Sequence, residues 1–217
     1  MKPDVNTWTI VVAGSWNAPI FDPTWVGEKL FGSKEFEIEF AFYRNNVFSS
    51  FKTSDIVFSP TNSQIVCGVR NINDNALTKA ENLVVKTLDM LPYTPINAIG
   101  INFGFVEEHP QKNLLDLFNF WDSFNMSDSN YTTNESQIYR QIKIGKHTLN
   151  LRQTLRADEP MIVHLNFHID VSDSTEGSKW LKDKVLECRT TAYQFLEKIY
   201  DLNNIEEENS FGDEDAA

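Results

Sequence analysis

The chain has 217 residues, of which 41% are hydrophobic and 12% aromatic, and this composition excludes global disorder because it supplies enough apolar surface for a core. Its formal net charge of -12 argues against unaided binding to nucleic acid or to an anionic membrane, since phosphate contacts need a surplus of Lys and Arg. We expect an acidic protein to bind another protein, with a basic partner favoured by the opposite charge.

The first half of the chain predicts a strand, a short helix, three strands and a long helix. The opening strand covers residues 7–16, and the short helix has Asp22 as its cap, Pro23 at its first position and Gly32 at its end. In "EFEIEFAFYR" strict alternation places Phe36, Ile38, Phe40 and Phe42 on one face, which we expect to be buried. Strands follow near 48–58 and 64–70. A helix then begins at Asp74 and stops before Pro92.

The second half repeats this order. "NAIGINFGFVEE" predicts a strand and "NLLDLFNFWDSF" a helix, and three further strands are expected near 137–144, 147–156 and 161–171. The closing helix carries a stripe at helical spacing, formed by Leu181, Val185, Cys188, Ala192, Phe195 and Ile199. The tail after residue 203 has no Lys or Arg. It holds half of the net charge in Glu206, Glu207, Glu208, Asp213, Glu214 and Asp215.

The repeated element order predicts an α+β fold built from duplicated β-α-β-β-β-α units. We expect residues 1–94 and 95–203 to form the two halves of one pseudo-symmetric unit, with residues 204–217 as an acidic tail. Such halves form one or two antiparallel sheets with the helices packed on one face. The other face would then be free for water or a ligand. The tail is expected to be solvated, with docking onto a partner as the alternative.

The stretch "MIVHLNFHIDVSD", residues 161–173, first suggests a metal or catalytic site. On a strand, however, residues four positions apart lie about 13 Å apart, so His164 and His168 cannot both bind one metal ion. At most one of these histidines could join a metal site that other strands complete, and we assign no metal-binding residues here. A solvated strand face is one interpretation of this stretch, and a binding surface is the other.

Pairing of the three last strands would collect polar side chains on one open, locally basic face. If they form a meander, the candidate partner-binding residues on this face are Tyr139, Lys143, Arg152, Arg156, His164, Asn166 and His168. The corresponding face of the first half carries Glu35, Glu37 and Glu39 and is locally acidic. Two hypotheses follow. The two faces could pair across a symmetric homodimer, or the basic face could bind an anion.

Motifs of known enzyme classes are missing from the sequence, including a G-x-S-x-G elbow, a phosphate-binding loop, H-E-x-x-H and paired C-x-x-C. We therefore predict a non-enzymatic protein without a cofactor, and a hydrolase that uses His164 or His168 with Asp170 is the least favoured hypothesis. Gly100 and Gly104, both within one strand, indicate a close backbone approach or a sheet bend. The five Trp residues are expected to lie mostly in the core, with Trp16 the one to check for exposure.

The location is expected to be cytoplasmic. Cys67 and Cys188 both fall on apolar patterns, which is typical of small buried hydrophobes in a reducing compartment. The first residues have one Lys and a broken apolar run, unlike a signal peptide, and no segment approaches the roughly 20 apolar residues that span a bilayer. We therefore expect no membrane association.

The segments "WTIVVAGSWNAPIFDPTWV" and "LPYTPINAIGINF", followed by a strand-rich second half and a long terminal helix, resemble an uncharacterised family of prokaryotic proteins that is distributed sporadically among genomes. The resemblance covers most of the chain before the tail. It implies a duplicated α+β fold and an association with mobile or defence genes, and it carries no catalytic residues.

Two functions are therefore expected from the sequence. The first is a non-enzymatic, cytoplasmic protein-interaction protein that engages its partner through an open sheet face or the acidic tail. The second is an acidic inhibitor or nucleic-acid mimic that occupies a basic site of a DNA-binding enzyme.

Overall fold

The fold is α+β, as predicted, and is organised around one antiparallel sheet of ten strands. A computed structural model of the chain describes residues 1–44 and 46–202. The strands are β1 Lys2–Pro3, β2 Thr9–Gly14, β3 Glu37–Tyr43, β4 Asn46–Lys52, β5 Ile56–Pro60, β6 Gln64–Val69, β7 Ile96–Glu107, β8 Glu135–Ile144, β9 His147–Arg156 and β10 Met161–Asp170.

The strands lie in the order β3-β4-β5-β6-β2-β7-β10-β9-β8, with β1 paired to β7. The first strands of the two predicted halves, β2 and β7, therefore pair at the centre of the sheet. The last strand of each half, β6 or β10, lies beside the first strand of the same half. This order is compatible with a duplication, but the halves differ in strand number and the duplication stays a prediction.

Two of the four predicted helices, the short one after Asp22 and the one that begins at Asp74, lie where the sequence predicts. The helices are α1 Pro23–Trp25, which continues as a π-helix over Val26–Phe31, then α2 Asp74–Met90, α3 Lys112–Asp116, α4 Ser123–Asp128, α5 Ser174–Leu181 and α6 Lys184–Tyr200. Asp22 caps α1 by accepting a hydrogen bond from the Trp25 N–H, and Gly32 ends the π-helix with a positive φ of 64°. Asn73 caps α2 in the same way through the Ala76 N–H.

The core lies between the helices and one face of the sheet. Aligned positions form a continuous apolar row across nine strands, because each strand places the same alternate side chains under the helices. Its members are Ile38, Phe51, Phe58, Cys67, Ile10, Ile101, Phe167, Leu149 and Ile142. The seven inner members are buried, and both cysteines are free and buried as predicted. Burial raises the pKa of the Cys67 thiol to about 12, so this thiol stays protonated.

Two predictions for the first half are wrong. The expected strand near 48–58 is two strands, β4 and β5, joined by a turn in which Thr53 caps the N–H of Ile56. In β3, Phe40 and Phe42 are 56% and 77% exposed although the alternation predicts burial. Phe36 packs against Phe31 of the π-helix. Because that helix ends at Gly32, it does not cover the later residues of the strand, Phe40 and Phe42.

The predicted helix over "NLLDLFNFWDSF" is also wrong, since α3 and α4 are separate short helices. The Asn119 side chain donates to the Asp116 carboxylate, and the Phe120 N–H donates to the Phe118 carbonyl two residues earlier. Such local bonds compete with helix continuation. Leu114 and Phe118 are buried. Trp121 is 86% exposed, so it is an exception to our expectation that most Trp residues lie in the core. Trp16 is buried.

The predicted closing helix is divided into α5 and α6 at Asp183, which has a positive φ of 62°. The new helix start is stabilised from α2, because the buried Glu81 carboxylate accepts the N–H groups of Asp183 and Val185 at 2.9 and 2.7 Å. Ile199 of the predicted stripe is 59% exposed, and Leu196 and Tyr200 take its place in the core. This shift is what a 3.6-residue period produces over several turns.

The acidic tail, with its candidate partner-binding residues Glu206, Glu207, Glu208, Asp213, Glu214 and Asp215, lies outside the described residues. Within residues 1–44 and 46–202, none of the helices has both the length and the apolar character that crossing a membrane requires.

Candidate functional site

A row of hydrogen-bonded polar side chains crosses the face of the sheet opposite the core. We call it the amide row. Each member is the immediate neighbour in sequence of a member of the apolar core row, so its side chain points to the opposite face of the sheet. The amide row crosses β8, β9, β10, β7 and β2 in register. Its members are Gln141, Asn150, Asn166, Asn102 and Thr9.

The bonds of the amide row all run in one direction. Gln141 Nε2 donates to Asn150 Oδ1 at 3.1 Å, and Asn150 Nδ2 donates to Asn166 Oδ1 at 2.9 Å. Asn166 Nδ2 then donates to Asn102 Oδ1 at 2.7 Å, and Asn102 Nδ2 donates to Thr9 Oγ1 at 3.0 Å. Because neighbouring strands are about 4.8 Å apart, each amide reaches the next member of the row, and these bonds orient the amides. Tyr139 joins the row at its β8 end, where its hydroxyl donates to Asn150 Oδ1 at 2.8 Å and accepts from Gln141 Nε2 at 3.1 Å.

Gly100 and Gly104 leave the space that this surface needs. A Cβ atom on Gly100 would lie 2.6 Å from Asn166 Nδ2, and one on Gly104 would lie 2.0 Å from Thr7 Oγ1. Both distances are far below van der Waals contact, so side chains of neighbouring segments occupy the place of the missing ones. The predicted close approach at these glycines is confirmed.

The predicted binding residues lie on either side of the amide row. Tyr139, Arg152 and His164 stand opposite one another in the next row on β8, β9 and β10. On the other side, Lys143 and His168 both stand opposite Thr148. The sheet therefore brings these residues and Asn166 together on one face. Their role in binding stays a prediction.

Arg156 lies at the end of β9, away from the amide row. Its guanidinium pairs with Glu135 at 2.5 Å and with Glu159 at 3.2 Å, so its charge is already matched. These pairs raise the pKa of Arg156, first through the bond to Glu135. Lys143 and Arg152 differ from it. Both are exposed, and no carboxylate among the described residues lies within 4 Å of either.

The two histidines of this face differ in their surroundings. Burial and the nearby Arg152 charge lower the pKa of His164, and Asp4 opposes this shift. A neutral imidazole is therefore favoured at His164 near neutral pH, with one donor and one acceptor nitrogen. His168 Nε2 lies 3.1 Å from Asp170 Oδ1, on the exposed end of β10. Among the bonds of the described residues, neither imidazole contacts a hydroxyl or a thiol.

The predicted acidic face turns out to be the far end of the same open face. The amide row continues from Thr9 through Gly68 and Val57 to Lys52 and Glu37 on β3. Glu39 is next to it and pairs with Lys52. One continuous surface therefore carries cations at β8 to β10 and carboxylates at β3, roughly 35 to 40 Å away across eight strand spacings.

In the part of the chain that the structure describes, no group of three or more His, Cys, Asp or Glu side chains has an arrangement that could hold a metal ion. The open face offers amides, hydroxyls, two cations and two imidazoles. This set favours hydrogen bonding to a polar surface.

The sequence prediction missed four of the five members of the amide row as site residues, namely Gln141, Asn150, Asn102 and Thr9. Gln141 and Asn150 do show polar positions on alternating strands. Asn102 and Thr9 are harder to find, because β7 pairs with β10 and β2 across about 65 and 90 residues of chain.

No protein-family model matches this chain, and no curated protein is similar to it. The resemblance of its sequence to a prokaryotic family therefore stays a prediction.

Proposed function

We propose that this chain is a non-catalytic binding protein that engages another protein through the open face around the amide row. One observation carries the proposal. Five strands present a continuous row of hydrogen-bonded side chains on the sheet face opposite the core, half-buried from Thr9 to Asn150 and exposed at Gln141. Each bond of the row contributes only modestly to stability, because it replaces hydrogen bonds to water, but together the bonds orient a set of polar groups that a partner can bind.

The unused bonding capacity of the row defines what a partner must supply. Each carboxamide has two N–H donors and two acceptor lone pairs. Asn150 and Asn166 each donate once within the row, which leaves one N–H on each. The carbonyl oxygens of Asn166 and Asn102 each accept once and keep a lone pair. The row is held in place by its own bonds, so these free groups are oriented before a partner arrives, and this lowers the entropy cost of binding.

Charge around the row adds a preference for acceptors. Arg152 and Lys143 flank the row on opposite sides, and neither forms an ion pair within 4 Å among the described residues, although the charge of Arg152 also acts on Glu135. A partner surface with carboxylates or carbonyls would pair with them, while the overall charge of -12 repels large polyanions such as nucleic acids. The partner is therefore a protein whose contact patch is polar and acidic at its rim. These properties of the partner are inferred for contact with the open sheet face only.

Charge reversal on the face tests the proposal. The test variant is Lys143→Glu with Arg152→Glu, and the matched control is Lys179→Glu with Lys198→Glu on the exposed surface of α5 and α6. Both variants change the net charge equally. In affinity capture from cell extract, the wild type and the control should retain the same partner and the test variant should lose it. If all three chains retain the same proteins, or if none retains any, the proposal is wrong.

Self-association is a second candidate function, favoured by the opposite charges at the two ends of the open face. Two copies packed face to face would bring the carboxylates of β3 in one copy over the cations of β8 and β9 in the other. Sedimentation velocity at low and high salt measures this directly. A dimer that dissociates as salt rises would support it, and a monomer at every salt concentration would exclude it.

We propose a cytoplasmic location for the protein. The support is that both cysteines are free thiols buried in the core, which suits a reducing compartment. Cell fractionation of the native protein tests this location, and recovery outside the cytoplasmic fraction would contradict it.

A further inference from the structure

The β3 edge of the sheet is a second surface whose chemistry neither the open face nor the core explains. β3 is the last strand in the sheet order and pairs only with β4 among the described residues. Its outer backbone N–H and C=O groups are therefore available to another strand. Natural proteins usually protect such an edge with charges, bulges or a covering element, because it is a template for pairing with another chain.

The side chains of β3 favour binding of another protein at this edge and do not shield it. On the helix side, Phe40 and Phe42 are 56% and 77% exposed and continue the line of Phe36 and Ile38, which pack against the core. Large exposed aromatic side chains next to one another are typical of surfaces that bind other proteins.

An open cleft of about 630 Å³ lies beside these residues. Phe40 and Phe48 form part of its wall together with the buried Phe21 and Phe51, and Ser49 and Asp22 add polar groups. Its volume is within the range of about 300 to 1,000 Å³ that ligand-binding clefts have. A large apolar side chain of a bound partner would pack against Phe40 and extend into the cleft.

The opposite side of the same strand is acidic. Glu37 and Glu39 are exposed on the open face, and Lys52 of β4 is the one cation paired with Glu39 there among the described residues. The edge thus presents apolar side chains, among them Phe40 and Phe42, on one side, and the carboxylates of Glu37 and Glu39, followed by Ala41, on the other. Its complement is a strand with large apolar residues on one side and Lys or Arg on the other.

We propose that the β3 edge binds an extended segment of a partner protein as an added strand, in which basic residues alternate with large apolar ones. Backbone hydrogen bonds to β3 provide the register, the apolar side chains pack on Phe40, Phe42 and the cleft, and the basic side chains lie beside Glu37 and Glu39. A second copy of this chain is a poorer occupant. Antiparallel pairing of two β3 strands would place the four carboxylates of both copies on the same side, where like charges destabilise the pairing.

A short peptide tests the proposal. The probe is a fluorescent, end-blocked peptide of alternating Lys and Leu with the length of β3, seven residues, and the readout is fluorescence anisotropy with the full chain. The variant Phe42→Asp should bind it at least about tenfold more weakly. The matched control is Tyr93→Asp, because Tyr93 is 96% exposed in a turn far along the chain and the change has the same charge. It should bind as the wild type does.

Modified peptides separate strand addition from attraction of a cation to an acidic protein. N-methylation of either all the Lys or all the Leu amides removes donors from one edge of the peptide only. One of the two modified peptides should lose binding and the other should keep it. A scrambled peptide of the same composition should bind weakly.

Three outcomes would overturn the proposal. The first is that the alternating peptide does not bind. The second is that Phe42→Asp and Tyr93→Asp weaken binding equally or that the scrambled peptide binds as well, which indicates charge attraction alone. The third is self-association of the chain that Phe42→Asp abolishes, which assigns the edge to a second copy.

Discussion

At the scale of single residues, the polar side chains of the open face form an ordered surface only because hydrogen bonds connect each of them to its neighbours. Asn166 is the central member of the amide row, with one bond to each side. The apolar residues next to it in β10, Leu165 and Phe167, are fully buried beneath the helices. The same strand therefore contributes stability through one face and an ordered polar surface through the other.

The change Asn166→Ala should break the row at its centre. It leaves Asn150 Nδ2 without its acceptor and Asn102 Oδ1 without its donor, and both groups are half-buried. We expect the free energy of unfolding to fall by about 1 to 2 kcal/mol. Urea denaturation measures it, with Gln141→Ala at the exposed end of the row as the control, for which the loss should stay within about 0.5 kcal/mol. Equal losses in both variants would show that the row is not a connected unit.

The change Gly100→Ala tests the space in which the Asn166 side chain lies. The added methyl group would be 2.6 Å from Asn166 Nδ2 and must displace it, at a cost of about 1 to 3 kcal/mol in stability. Gly68→Ala is the control on the same face, since its Cβ would meet Thr9 Cγ2 at an ordinary 3.6 Å. Gly68→Ala should leave the unfolding midpoint nearly unchanged. Similar destabilisation at both positions would contradict the packing described here.

The pKa of His164 gives the stability a defined pH dependence. Its pKa is lower in the folded chain than the ordinary value of 6.5, so the unfolded chain takes up a proton first as the pH falls. The contribution of neutral His164 to the free energy of unfolding is present above pH 6.5 and is lost as the pH falls toward the pKa of His164 in the folded chain. His147, whose pKa burial also lowers, contributes in the same window. His164→Asn should flatten the fall in unfolding free energy below pH 6.5, and the same change at the exposed His109 should not.

At the scale of secondary structure, the sequence predicted the elements that have a regular pattern and failed where an element ends for a tertiary reason. β8, β9 and β10 lie within two residues of their predicted bounds, because half-buried strands alternate visibly. The break before α6 was missed, since the 4, 3, 4 spacing of apolar residues continues across it. Its cause is Glu81, about 100 residues earlier, and no local pattern reports such a partner.

Glu81 is therefore expected to be essential for the start of α6. Glu81→Ala would leave the N–H groups of Asp183 and Val185 without a charged acceptor in a buried place, and the free energy of unfolding should fall by about 3 kcal/mol. Glu197→Ala on the exposed face of α6 should change it by less than about 0.5 kcal/mol. Chemical denaturation followed by circular dichroism gives both values. A mild effect at Glu81 would show that the helix start is stabilised by other contacts.

At the scale of the whole molecule, the two-sided character of the sheet could be predicted and its strand order could not. Alternation within each strand indicates which side chains share a face, and Phe167 is buried as that alternation requires. Which strands lie side by side depends on pairings between distant segments, and these determine that Asn102 and Thr9 extend the row of Asn166. For the same reason, the acidic and basic faces expected from the two halves are ends of a single surface.

The location of a bound protein partner tests the central claim most directly. Hydroxyl-radical footprinting of the chain, alone and with the partner recovered by capture, reports the protection of each exposed aromatic side chain. Tyr139 on the open face is 59% exposed, whereas Tyr93 and Trp121 are 96% and 86% exposed elsewhere on the chain. If the open face is the binding surface, the partner protects Tyr139 and leaves Tyr93 and Trp121 labelled. Unchanged labelling of Tyr139 beside protection of Tyr93 or Trp121 would place the partner elsewhere and contradict the claim.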